Sequence, residues 1–293
     1  MTKYKIINIP TINDDIRDFQ NLFHIYSQVL FSDTNILFNF SSCRFLRQNA
    51  VAFIGGLARL IRYNGHRVMF DWDSLTSRIA TNLKQNGFIE SFDFFGDSPW
   101  EGNSVRYRED KIAKKEAYIE YLSNDWLGRG WINVSKPLKN EIVGKVWEIY
   151  INSFDHGNSP IGVFTCGQRY PYLDELRLCL VDFGIGIPNS VRRFKNDNSI
   201  KASNAMKWAF RPGATTKPED EDGNESGRGL GLDLLSKFIK INKGTLEVFS
   251  HEGYAKITAD KEEYKNIPYK YNGTLVNISL KCDDETFYYL SSE

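Results

Sequence analysis

The stretch Leu178-Cys179-Leu180-Val181-Asp182-Phe183-Gly184-Ile185-Gly186-Ile187-Pro188 decides how the rest of the chain is read. Its apolar, partly β-branched opening predicts a buried strand. The strand ends in an acid, two glycines spaced by one residue, and a proline. A carboxylate at the end of a buried strand is costly unless hydrogen-bond donors meet it. Glycines adopt backbone geometry closed to other residues and let a flat ligand approach the main chain. Asp-x-Gly-x-Gly is a weak motif by itself, because such glycines often only turn a chain. Its weight comes from the segments on either side.

Upstream, a helix is predicted from Leu138, with an apolar stripe of Leu138, Ile142, Val146, Ile149 and Tyr150. Glu148 and Asn152 are four residues apart and stack on one face, which Asp155 and His156 extend. Two strand-like runs follow, at 161–166 and 176–182, and place Asp182 at a strand end facing that helix. Beyond Pro188 comes a helix-like segment with Val191, Phe194, Ala205, Met206 and Trp208. Phe210-Arg211-Pro212-Gly213-Ala214-Thr215-Thr216-Lys217-Pro218 and the acidic run 219–224 have the composition of a mobile loop. They lead into Ser226-Gly227-Arg228-Gly229-Leu230-Gly231-Leu232, which opens an apolar helix. Glycines at a helix start expose N–H groups to phosphate oxygens, with the helix dipole assisting. This Gly-x-Gly lacks the preceding strand of a Rossmann unit and the Lys-Ser/Thr ending of a P-loop. Residues 244–249, 254–258 and 273–280 read as three closing strands.

These motifs, in this order, resemble the ATP-binding domain shared by gyrase, the ninety-kilodalton heat-shock chaperones, histidine kinases and mismatch-repair ATPases, the GHKL or Bergerat-fold superfamily. The first motif matches Glu148-x-x-x-Asn152, with His156-Gly157 close to the anti-sigma-factor serine kinase and histidine kinase version. Asp182-Phe183-Gly184-Ile185-Gly186 is the second, Gly213-Ala214-Thr215-Thr216-Lys217 the lid, and Gly227-Arg228-Gly229-Leu230-Gly231-Leu232 the last. The resemblance implies ATP and Mg²⁺ as ligands. Asp182 would accept a hydrogen bond from the adenine amino group, with Gly184, Gly186 and Ile187 beside the base and sugar. Asn152 would hold Mg²⁺ through its amide oxygen, a hard ligand for a hard cation. Asp155 and His156 would flank the nucleotide. Gly227, Arg228, Gly229, Leu230, Gly231 and Leu232 would wrap the phosphates, and Thr215, Thr216 and Lys217 would close over them. Glu148 would orient or deprotonate the attacking group.

The first 95 residues alternate strand and helix. Asn35-Ile36-Leu37-Phe38-Asn39-Phe40 is a strand, Val51, Ile54, Leu57, Ala58 and Ile61 have helical spacing, Arg67–Trp72 is a second strand, and Leu75, Ile79 and Leu83 mark a second helix ending at Gly87. This part resembles the STAS-type domain of anti-sigma-factor antagonists. Where phosphorylatable members open a helix with serine, Arg47-Gln48-Asn49-Ala50 has no hydroxyl. The resemblance therefore implies a docking or regulatory module for a protein partner. The expectation is an α/β protein: a STAS-like α/β domain at 1–95, a linker or helical connector at 96–135, and at 136–293 a Bergerat-fold α/β sandwich, a mixed sheet with helices on one face.

Composition narrows the partners. The chain has 293 residues, 41% hydrophobic and 14% aromatic, enough for a filled core. Lys+Arg and Asp+Glu balance at 37 each, so no net charge draws it to nucleic acid or a membrane surface. Its start is too polar for a signal peptide, and no apolar run has membrane-spanning length, so the expected location is the cytoplasm. Cys43, Cys166, Cys179 and Cys282 lie far apart, without metal-ligand spacing.

Three reactions fit. The chain is an ATP-dependent switch whose ATP binding and hydrolysis drive a lid or a homodimer, a serine/threonine kinase of the anti-sigma-factor type, or a non-catalytic nucleotide sensor. A histidine kinase proper is disfavoured, because His24 and His66 are the only earlier histidines and neither sits in a helical His-Glu/Asp motif. Residues 215–224 are expected to be cut readily by protease without nucleotide and protected by Mg²⁺ with a non-hydrolysable ATP analogue. Equal cleavage in both conditions counts against a closing lid.

Overall fold

Parallel strands need a long crossover between them, and the N-terminal residues supply two. The computed structural model describes residues 3–30, 32–93, 102–155, 157–214, 216, 232–283 and 285–292. Within it β1 (Tyr4–Asn8), β2 (Asn35–Asn39) and β3 (Val68–Asp71) form a parallel sheet in that order. The crossovers are helices α1 (Ile16–Leu30) and α2 (Gln48–Tyr63), and α3 (Ser77–Gln85) and α4 (Phe88–Phe92) follow. Ile7, Ile36, Phe38, Val68 and Phe70 face the two crossover helices in one core. Ile6 and Met69, on the other face, are 59% and 51% exposed. Helix α1 buries Phe19, Leu22, Phe23, Tyr26 and Val29, the i, i+3, i+4 spacing of one helical stripe.

The second sheet has five strands. They are β4 (Ser104–Asp110), β6 (Val163–Tyr170), β7 (Glu175–Asp182), β8 (Thr245–Ile257) and β9 (Glu262–Lys281), in the order β4-β6-β7-β9-β8. Every pairing in it is antiparallel. Along β7, Leu176, Leu178 and Leu180 enter one core while Cys179 and Val181 enter the other. A strand buried on both faces loses the polar alternation of a half-exposed one, which is why this run is apolar throughout.

One face of the sheet packs on α6 (Lys136–Asp155) and α9 (Leu232–Asn242), with α7 (Gly186–Lys195) and α8 (Ala202–Ala209) against β8 and β9. The other face is covered by α1 and α2. Between β4 and α6 lie α5 (Lys115–Glu120), a π-helical turn at Tyr121–Trp126, and β5 (Asn133–Val134), which pairs with β10 (Phe287–Tyr288). Among the described residues no helix is long and apolar enough to cross a membrane.

The chain is thus α/β, with four departures from the expected layout. The five-stranded sheet is antiparallel rather than mixed, and helices cover both of its faces rather than one. Residues 104–110, expected within a connector, form its edge strand, because Val105 and Tyr107 are buried while the charges between and beyond them are paired. Glu109 takes Arg59 at 2.7 Å, and Asp110 takes Arg108 at 2.6 Å. The three expected closing strands are two, since 245–257 runs through as one strand with its bulge at Ser250–Gly253. A polar, glycine-containing bulge reads as a turn in sequence.

The N-terminal unit is fastened to the sheet by a buried polar chain. The Tyr170 hydroxyl donates to Gln48 Oε1 at 2.7 Å, and Gln48 Nε2 donates to Asn277 Oδ1 at 3.1 Å. Asp14 pairs with both Arg47 and Arg177 of β7. Gln48→Leu strands the Tyr170 hydroxyl and the Asn277 amide without partners and is expected to cost roughly 2–5 kcal/mol in urea unfolding. A loss below about 1 kcal/mol would show that this chain is not a tie.

Candidate functional site

Helix α6 starts where Ser135 Oγ accepts the Leu138 N–H at 3.2 Å, with Pro137 in the first turn, where its missing N–H costs nothing. Its buried stripe includes Leu138, Ile142, Val146, Ile149 and Tyr150, as expected. One turn on, Asn152 and Ser153 continue the Ile149 face over the end of β7. The helix closes with the Gly157 N–H donating to Asn152 O at 3.0 Å, and the Gly157 carbonyl then accepts the Ile185 N–H at 2.7 Å. A Cβ at Gly184 would strike that same carbonyl, so glycine there lets two backbones touch.

Asp182 is the last residue of β7 and follows Leu176, Leu178 and Leu180 onto the α6 side of the sheet. It is 2% exposed. Its Oδ1 accepts the Gly184 N–H at 2.9 Å and the Thr274 N–H at 3.3 Å, and the Ser153 hydroxyl also donates to the carboxyl. Burial pushes the carboxyl up to about 6, and these three donors only partly offset it.

The carboxyl lies in the wall of a cavity of about 650 Å³, its open mouth included. Ile149, Leu180, Ile187, Val191, Leu232 and Val276 give it apolar walls, and Asn152, Ser153, Asp182, Ser190, Thr216 and Thr274 supply polar groups. Apolar walls with a few converging polar groups suit a flat organic ligand. Gly186, at φ +76°, opens α7 at the rim, and the next N–H, of Ile187, donates to Ser250 Oγ at 2.7 Å.

Of the residues singled out in the sequence, Asn152, Asp182, Gly186, Ile187, Thr216 and Leu232 line this one cavity. Gly184 is packed on Gly157 behind it and is not in its lining. Asp155, at the end of α6, is exposed and outside the lining as well. Glu148 is also outside the lining, and its carboxylate takes the Lys145 ammonium at 2.7 Å. His156, Thr215, Lys217, Gly227, Arg228, Gly229, Leu230 and Gly231 lie outside the described residues.

Sequence reasoning passed over Ser153 and Thr274. The helical spacing from Ile149 carried the signal for Ser153. No local signal existed for Thr274, which arrives from β9, 92 positions from Asp182 in the chain. Among the described residues no group of three or more His, Cys, Asp or Glu could hold a metal. The donor set does suit a Mg²⁺ that arrives with phosphates, since such an ion keeps its waters and needs few protein ligands. Asn152 is the side chain here that would meet it. No protein-family model matches the chain, and no curated protein matches it.

The raised carboxyl sets a pH dependence. A folded-state value of about 6 against an ordinary value near 3.9 means the folded state holds the proton more tightly. Its contribution to stability is full below about pH 4 and is lost as pH rises through about 6. Over that window wild type is expected to lose on the order of 3 kcal/mol at this site. Asp182→Asn is expected to lack that slope in unfolding measured from pH 4 to 7. Parallel profiles would place the titration elsewhere.

Proposed function

We propose that this chain binds Mg-ATP as a protein of the GHKL type and acts as an ATP-dependent regulatory switch. The observation that carries the reading is the buried Asp182 carboxylate in the wall of an apolar-sided cavity, with Asn152 of α6 in the same lining. An ionised carboxylate accepts and does not donate, so it selects a heterocycle that offers an amino group at its edge. Adenine does. The apolar side chains would hold the two faces of the base, and Asn152 would meet the Mg²⁺ that accompanies the phosphates. Thr216 and Leu232, in the same lining, stand at the ends of the segment that resembles the lid and phosphate-binding motifs. The STAS-type resemblance of the N-terminal unit would make that unit the site of regulation by a protein partner.

Phosphoryl transfer asks the protein for positioning, a metal and charge neutralisation. Glu148 would orient the attacking water or a partner's hydroxyl, giving hydrolysis or phosphotransfer. Its ion pair with Lys145, away from the cavity lining, favours a second reading in which the chain senses nucleotide without turning it over.

Calorimetric titration with ATP and Mg²⁺, beside γ-phosphate release, tests both. Wild type is expected to bind, and Asp182→Asn to bind about ten- to a hundredfold more weakly, the worth of a hydrogen bond to a charged acceptor. Affinity is expected to fall as pH drops below about 6, where Asp182 takes up its proton. Glu148→Ala is expected to keep binding and to lose turnover by about a hundred- to ten-thousandfold. No binding by wild type sinks the proposal. Binding without release, alone or with candidate partner proteins, leaves the sensor reading.

A further inference from the structure

We propose that Phe183 is the positioning residue of the nucleotide site, and that helices α1 and α2 of the N-terminal unit set where the Asp182 carboxylate stands by holding the Phe183 ring. The proposal rests on the reading of the cavity as a nucleotide site.

Asp182 and Phe183 are consecutive at the end of β7 and leave the sheet on opposite faces. The carboxylate enters the cavity while the ring, 4% exposed, enters the core shared with the N-terminal unit. There it meets Phe53 of α2 at 5.4 Å between ring centroids, Tyr26 of α1 at 6.1 Å and Tyr271 of β9 at 5.7 Å. Gly56 of α2 lies directly against it, and a Cβ on Gly56 would overlap both the Phe183 and Phe164 rings. Interiors this full do not yield to an added methyl without moving something. The Phe183 ring is held between the two N-terminal helices and the Phe164 and Tyr271 rings of the sheet.

A second set of contacts reaches the same carboxylate. The Thr274 N–H that donates to Asp182 follows Tyr271, Asn272 and Gly273 along β9. The Tyr271 ring stacks on Phe23 of α1 at 4.9 Å and meets Phe53 at 5.2 Å. The Asn272 N–H donates to the Tyr26 hydroxyl at 3.3 Å. The backbone that carries Asp182 and one of its donors are therefore both seated on α1 and α2. A hydrogen bond to a charged acceptor is worth about ten- to a hundredfold and weakens steeply when its geometry is lost, so the seating of Asp182 is felt in affinity.

The test compares wild type, Gly56→Ala, Phe183→Leu and the double variant in the full chain, by ATP affinity and by the ¹³C-observed titration of the Asp182 carboxyl. Gly56→Ala is expected to weaken ATP at least about tenfold and to move the Asp182 titration. Phe183→Leu, which empties the seat, is expected to do the same, and the double variant to fall well short of the sum of the two losses, because both act through one ring. Losses that simply add in the double variant would mean two independent packing defects and overturn the proposal, as does a folded Gly56→Ala with wild-type affinity and titration. Should Gly56→Ala fail to fold, Phe183→Leu alone decides, since unchanged affinity and titration there overturn the proposal. If wild type binds no ATP, the function above falls, and the titration still reports whether α2 positions Asp182.

Discussion

Taking a carboxylate out of water at the end of a buried strand is the constraint around which this molecule is arranged. An isolated ionised group there would cost far more than a domain can spare. Asp182 is tolerated because three donors from separate parts of the chain meet it: Gly184 just beyond it, Ser153 from α6, and Thr274 from β9. Each donor fixes something larger. The Gly184 donor needs the backbone contact with Gly157 that closes α6, the Ser153 donor needs α6 to cross the strand end, and the Thr274 donor needs the β7–β9 register that pairs Asp182 with Thr274. The cavity is what this convergence leaves open on the α6 side of the sheet.

The second constraint is the sheet itself. Leucines on one face of β7 and Cys179 and Val181 on the other call for two apolar partners. Helices α6 and α9 serve one face. Helices α1 and α2 serve the other, with Phe23, Phe53 and Tyr26 packed on Tyr271 and Phe183. The parallel three-stranded sheet then shields these helices from the far side. The N-terminal unit is in this sense one wall of the core that holds the site, and the Gln48 chain and the Asp14 ion pairs stitch its edge.

Local pattern carried much of this arrangement. The apolar run before Asp182 is a buried strand, the stripe from Leu138 to Tyr150 is the buried face of α6, and the strands expected at 35–40 and 67–72 are β2 and β3, each a residue shorter at one end or both, with α2 between them. Asn152, Asp182, Gly186, Ile187, Thr216 and Leu232 were chosen from motifs and line a single cavity. What stayed hidden depends on contacts between distant segments. A run that is apolar throughout says that both faces are buried but not by what, so the cover from α1 and α2 was invisible. Helix α1 has helical spacing in Phe19, Leu22, Phe23 and Tyr26, but nothing local ties that stripe to a sheet built from the far end of the chain. Strand β4 hid behind its charges, since the partner of Glu109, Arg59 of α2, lies 50 positions away in the chain. Gly184 looked like a place for ligand to approach and is instead where Gly157 does.

The contact between Tyr26 and Asn272 spans 246 positions of the chain, and this has a consequence for how the protein is made. A chain emerging from the ribosome N-terminus first exposes α1 and α2, with Phe19, Phe23, Tyr26 and Phe53, long before β9 exists to receive them. Closing so large a loop is entropically slow, and folds dominated by such pairings form late. Until then, those aromatic faces are sticky surface of the kind that chaperones shield during synthesis. Helices made well before β9 are among the last to find their place.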